Sequence, residues 1–148
     1  MNWHLKTFAE LNTHELYAIL QRREEVFVVE QTCPYLDADG ADDKAMHLWA
    51  DSDNDSVVAY ARIFLGESST GYSRIGRVLT SQSVRRHGYG RELMLRAIDV
   101  CERYTPQLPI RLGAQVYLRA FYESFGFAAI SDEYLEDNIP HIDMERRP

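Results

Sequence analysis

The chain has 148 residues, 45% of them hydrophobic and 26% charged, which suits one domain with a normal-sized core. A formal net charge of -7 argues against nucleic acid as the main partner and favours a cationic small molecule or a lysine side chain. No apolar run approaches the ~20 residues that cross a bilayer, MNWHLKTFAEL lacks a signal-peptide core, and Cys33 and Cys101 stand in no zinc or redox spacing, so no membrane is expected and a reducing cytoplasm is.

Residues 3–8 alternate and predict a short strand. Asn12-Thr13-His14-Glu15 reads as a capping box, an acceptor side chain followed three residues on by a glutamate. Leu16, Ile19, Leu20, Arg23 and Phe27 fall at helical spacing behind it, so a helix is expected over about 13–28. TCPYLDADGADDKA (32–45) is an acidic loop, and residues 47–50 and 57–65 predict a hairpin around DSDND. Residues 72–81 form the next strand and lead into SVRRHGYGREL (83–93). The helix behind that turn buries Leu93, Met94, Ala97, Ile98 and Cys101 and shows Glu92, Arg96, Asp99 and Arg103 to water. Pro106 and Pro109 bracket a turn before a strand over 110–114. Leu118, Phe121, Tyr122 and Phe125 mark a second, short helix closed by Gly126, and two strands follow at roughly 127–132 and 139–145. Strands before, between and after helices mean a mixed α/β sheet, and the absence of repeats or linkers makes 1–148 a single expected domain.

Neither acidic loop fits calcium. Counting from Asp37, the sixth and twelfth places hold Asp42 and Leu48; counting from Asp51 they hold Ser56 and Arg62, where glycine and glutamate are required. Both read as turns, the first with charge to collect a cationic acceptor. Cys33, beside Pro34, has no identified partner base and is not taken as a nucleophile.

The turn RRHGYGR is the informative stretch. The first turn of a helix leaves amides unpaired and carries roughly half a positive charge, so an anion is stabilised there. Gly88 and Gly90 let a phosphate approach the backbone, and Arg85, Arg86 and Arg91 add fork-shaped donors, with no acid between 85 and 91 in an otherwise acidic chain. A Walker A loop is excluded, because no GK followed by Ser or Thr occurs, and a dinucleotide fingerprint fails because GYGREL has leucine at its third glycine.

A third pattern is met: Q/R-x-x-G-x-G/A between a strand and a helix, by Arg85-Arg86-His87-Gly88-Tyr89-Gly90. It resembles the pyrophosphate loop of the GNAT superfamily of N-acetyltransferases, and AFYESFGF (120–127) resembles that superfamily's A-x-x-x-Y-x-x-x-G-F helix. RREEVFVVEQTCPYLDADGADDKAMHL (22–48) and NIPHIDM (138–144) are similar to its small ElaA-like bacterial subgroup. The resemblance implies a mixed, mostly antiparallel sheet of about six to seven strands with helices on both faces, and a splayed parallel strand pair that forms an acyl-CoA cleft. It implies acetyl-CoA as co-substrate, no metal, an amine of a small molecule or peptide as acceptor, and a homodimer at a sheet edge as a common assembly.

Carried over residue by residue, the pantetheine edge is Val78, Leu79 and Thr80, and the pyrophosphate lies on backbone groups from Arg86 through His87, Gly88, Tyr89 and Gly90 to Arg91, with Arg85 at the motif's first position. Tyr122 matches the tyrosine that donates to the leaving thiolate. A phenol near pKa ~10 is a weaker acid than a thiol near ~8.5, so stabilising the sulfur outweighs full proton transfer. Where relatives often place an asparagine at a coenzyme contact, this chain has Tyr117, and Arg74, Ile75, Gly76 and Arg77 supply no glutamate base. The candidate bases are Glu30, His47 and His141, beside a bound water. The competing function is a non-catalytic acyl-CoA-binding regulatory module, which needs no hydroxyl at Tyr122.

Overall fold

In the computed structural model, which describes residues 1–148, eight strands join one sheet. Strand β1 (Asn2–Thr7) is followed by helix α1 (Thr13–Arg23), the hairpin β2 (Met46–Ser52) and β3 (Asp55–Phe64), and then β4 (Ser73–Thr80). Helix α2 (Tyr89–Tyr104), strand β5 (Ile110–Gln115), helix α3 (Arg119–Glu123), β6 (Ala128–Ala129), β7 (Tyr134–Glu136) and β8 (Ile139–Arg146) complete the chain. The sheet runs β1-β2-β3-β4-β5-β8-β6, and β7 also pairs with β8. Every pairing is antiparallel except β4 with β5.

Strand β3 is buried almost throughout and contributes to two cores. Val58, Ala61 and Ile63 pack with Leu93, Met94, Ala97 and Cys101 of α2 on one face. Val57 and Tyr60 pack with Ile19 of α1, and with Val26, Trp49 and Leu79, on the other. Each large aliphatic side chain so buried contributes about 1.5–3 kcal/mol. The expected helices on both faces are therefore present, and the strand count reaches eight because β6 and β7 are short additions against β8. No helix is long and apolar enough to cross a membrane.

The capping box holds: the Asn12 side chain accepts from the Glu15 amide at 2.8 Å, and Glu15 accepts from the Asn12 amide at 3.0 Å. The helix expected over 13–28 differs in pitch. Regular α geometry stops at Arg23, and Glu24–Glu30 continues as a π-helix. Its wider turn seats Val26 in the α1 core while Phe27 and Glu30 reach the cleft described below. The strand expected over 127–132 is only β6, and the residues beyond it form a hairpin that sequence reading passed over. Asp137 and Asn138 both take positive φ, 52° and 63°, the two-residue turn that matches strand twist.

The parallel pair is short. Only Ser73 with Ile110 and Arg74 with Arg111 are in register, although β4 continues to Thr80 and β5 to Gln115. The cause lies on the other side of β4. Tyr60 pairs with Leu79 but Arg62 with Gly76, so Arg77 and Val78 together face one residue of β3. Arg77 sits at φ +50°, a bulge that bends β4 away from β5.

Candidate functional site

The gap between the diverging strands is a cleft of about 720 Å³. Residues 75–80 of β4 form one wall, and Leu112, Gly113 and Gln115 of β5 form the other. Beyond Arg74, β4 has no ladder partner on this side, so an extended ligand meets free strand edges. Val78, Leu79 and Thr80 all line the cleft, as do Arg85, Gly90 and Tyr117, which is 76% exposed.

The phosphate-like turn stands at the upper end of β4. Gly88 is the N-cap of α2 at φ +82°, and no side chain caps the helix. Glu92 is the first residue of α2 to bond back, to the Gly88 carbonyl at 3.2 Å, so the amides of Tyr89, Gly90 and Arg91 have no carbonyl one turn earlier. Arg86 takes φ +68° and is exposed without an ion-pair partner, and His87 beside it is exposed. Arg91 bonds Ser124 at 3.3 Å and stacks over Phe125 at 4.8 Å. Arg85 turns the other way. It donates to the Thr80 carbonyl at 3.1 and 2.9 Å and pairs with Glu30 at 2.8 Å, bracing the turn against the end of β4.

Tyr122 comes from α3 and lines the cleft at 6% exposure. Phe121 and Phe127 pack against it edge-on at 5.2 and 6.3 Å, which fixes the ring. Its hydroxyl makes no hydrogen bond within the protein. Burial, and then the neighbouring Tyr117, pushes its pKa up to about 12, so it is a neutral donor across the physiological range.

The three candidate bases have separate fates. His47 lies outside the cleft, fully buried, with Nδ1 at 2.7 Å from the Tyr60 hydroxyl and Nε2 at 2.9 Å from the Asp42 carbonyl. A carbonyl only accepts, so Nε2 carries the proton and Nδ1 accepts from Tyr60. Burial lowers its pKa, and its role is to join β2 to the loop. β1 and β3 flank β2 on both sides, and His47 is closed off from the cleft where a base is expected to act. Glu30 faces the cleft, but one oxygen is held by Arg85. His141, on β8, faces the cleft at 8% exposure. Its Nδ1 lies 2.7 Å from the Ile139 carbonyl, which makes Nδ1 a donor, and its Nε2 lies 3.5 Å from the Glu136 carboxylate at the cleft.

The acidic loop is not open to a cationic acceptor, contrary to the sequence expectation. Arg23, 0% exposed, donates to Asp37 at 2.8 Å and Asp42 at 2.7 Å. Arg62 donates to Asp39 at 2.8 and 2.9 Å and to Asp42 at 2.9 Å, and Arg77 to Asp37 at 2.8 Å. Bonds from Arg62 hold the Asp39 carboxyl well below the usual carboxylate range. At Asp42 burial opposes the charge, yet bonds from Arg23 and Arg62 outweigh it and leave that carboxyl low as well. Three arginines from α1, β3 and β4 thus clamp the loop as one side of the cleft. A trace was visible in the sequence: Arg62 interrupts the apolar run VVAYARIF, where a charge needs a partner.

The family model of the acetyltransferase (GNAT) domain matches residues 13–148. Protein ElaA of Escherichia coli is 42% identical over 150 residues, spanning 99% of this chain and 96% of its own. Its crystal structure superposes at a TM-score of 0.93 and 41% identity, covering 99% of this chain and 100% of that one. A solved structure described as an acyl-CoA N-acyltransferase from Pseudomonas aeruginosa gives a TM-score of 0.93 at 44% identity, with 99% of each chain covered.

Proposed function

We propose that this chain, which belongs to the GNAT acetyltransferase family, is an acyl-CoA-dependent acyltransferase that moves an acetyl group from acetyl-CoA to a primary amine of a small molecule or peptide in the cytoplasm. One conjunction carries the reading: an unpaired strand gap, an uncapped helix start at its upper end, and a tyrosine hydroxyl without a protein partner on its wall. The groups present fit the donor. Amides from Arg86 to Arg91 and the free Arg86 guanidinium suit a diphosphate, and the edges of Val78, Leu79 and Thr80 suit the amides of the pantetheine arm.

The acceptor amine attacks the thioester carbonyl, forming the C–N bond, and the C–S bond then breaks. Most of a free amine near pKa ~10.4 is protonated at neutral pH, so a base must take its proton. His141 is that base in this reading, through Nε2, since Nδ1 donates to the Ile139 carbonyl. Glu136, 3.5 Å from Nε2, stabilises the imidazolium that forms. Tyr122 donates its hydroxyl to the departing sulfur. With its pKa at about 12 it remains the proton's owner and acts by hydrogen bonding.

A thiol-release assay over an amine panel, with calorimetry for acetyl-CoA, tests this. Tyr122→Phe lowers turnover about 10²-fold with acetyl-CoA affinity kept, and His141→Gln lowers it by about 10²-fold or more. Undiminished turnover in Tyr122→Phe, or no acetyl-CoA binding by the unaltered protein, overturns the reading. Acetyl-CoA binding without thiol release from any amine would favour the non-catalytic module.

A further inference from the structure

Four arginines line the cleft: Arg62, Arg74, Arg77 and Arg85. Three are neutralised within the protein, Arg62 by Asp39 and Asp42, Arg77 by Asp37, and Arg85 by Glu30. Arg74 has no acidic partner. Its neighbour across the parallel register, Arg111, is paired with Glu145 at 2.8 Å, so Arg74 is the exception at that end of the gap as well.

Its surroundings are shaped around a bare piece of backbone. A Cβ built on Gly113 of β5 would stand 3.6 Å from Arg74 Nη2, 3.2 Å from the Tyr134 hydroxyl and 3.7 Å from Asp143 Oδ1. A guanidinium, a phenol and a carboxylate therefore converge over a residue without a side chain. Asp143, the acid closest to that point, receives the Tyr134 hydroxyl at 2.6 Å and makes no ion pair with Arg74.

The donor does not explain Arg74. Thr80, where the phosphate-like turn begins, lies six steps along β4 from Arg74, and a strand rises ~3.3 Å per residue, so the two ends lie roughly 20 Å apart. The diphosphate is out of reach and the pantetheine arm is uncharged. An anion at Arg74 has to arrive with the acceptor. Arg74 is exposed at this end of the cleft, so an entering carboxylate meets a guanidinium that no acid of the protein neutralises. The planar fork matches a carboxylate in two-point contact.

We propose that Arg74 binds a carboxylate carried by the acceptor, so that the acceptor class is amino acids or other amino carboxylates rather than simple amines. This rests on the acetyltransferase reading above. The carboxylate anchors at the closed end of the gap, and the amine extends along it toward His141 and Tyr122.

The experiment compares kcat/KM for matched pairs, glycine with glycinamide and lysine with lysinamide, in the unaltered protein and in Arg74→Ala and Arg74→Lys. The carboxylate member of each pair is favoured about ten- to a hundredfold in the unaltered protein, and the ratio falls to near one in Arg74→Ala, mostly through the acceptor KM. Arg74→Lys keeps part of the ratio. Acetyl-CoA affinity by calorimetry and the melting temperature stay as they were in both variants, since Arg74 is exposed and unpaired. Equal rates within each pair, or a preference that survives Arg74→Ala, overturns the assignment while leaving the acetyltransferase reading intact. Failure to bind acetyl-CoA, or to release thiol with any amine, overturns both.

Discussion

Arg23 and Arg86 carry the same guanidinium in opposite settings. Arg23 is sealed beneath the 35–44 loop with two aspartates, whereas Arg86 stands in water on a left-handed residue with no partner. The first arrangement is closed: each charge has its counter-charge, and the group shapes a cleft wall without binding anything else. The second is open, and a ligand must supply what the protein withholds. Positive charge alone therefore does not mark a binding site; its satisfaction by neighbours decides.

The largest test of this contrast is Arg23→Ala. It leaves Asp37 with Arg77 alone and Asp42 with Arg62 alone and empties a fully buried site, and unfolding in urea should show a loss of about 3 kcal/mol. Acid should loosen the same cluster less abruptly. Asp39, held by bonds from Arg62, and Asp42, held against its burial by Arg23 and Arg62, have folded pKa values below the unfolded carboxyl. Their stabilisation is thus fully present above the unfolded range near pH ~4 and lost as the pH falls below it, so the melting temperature should drop in that window. A melting temperature that stays level there would break the claim that the cluster clamps the loop. The smallest effect is expected at the open end. Arg86→Ala should weaken acetyl-CoA about tenfold by calorimetry, with a shallower salt dependence and no change in melting temperature. If it destabilises the fold instead, Arg86 is not the free donor its setting implies.

Much of the frame was legible because it is local. The capping box at Asn12, the apolar stripe of α2 and the apolar run of β3 each sit within one element, and the local sequence reveals them. The turn at Gly88 and the position of Tyr122 were legible as motifs. The acid–arginine cluster was not, because it joins α1, β3, β4 and a loop, so its pairings span 14 to 40 residues of sequence. DADGADD consequently read as free charge. His47 looked like a base for the same reason, since its partners Tyr60 and Asp42 meet it only once β3 and the loop have closed around β2. Arg74 had no sequence signal at all; it is defined by the absence of a partner in space.

Arg77 holds two offices at once. Its left-handed backbone produces the bend that parts β4 from β5, and its side chain grasps Asp37 on the facing loop. The slot for the donor and the wall facing the acceptor therefore share a hinge pin. Grafting a different 35–44 segment onto this scaffold to retune acceptor choice would remove the counterpart of Arg77 and relax the curvature of β4, so the two specificities of the enzyme are mechanically geared and must be redesigned together.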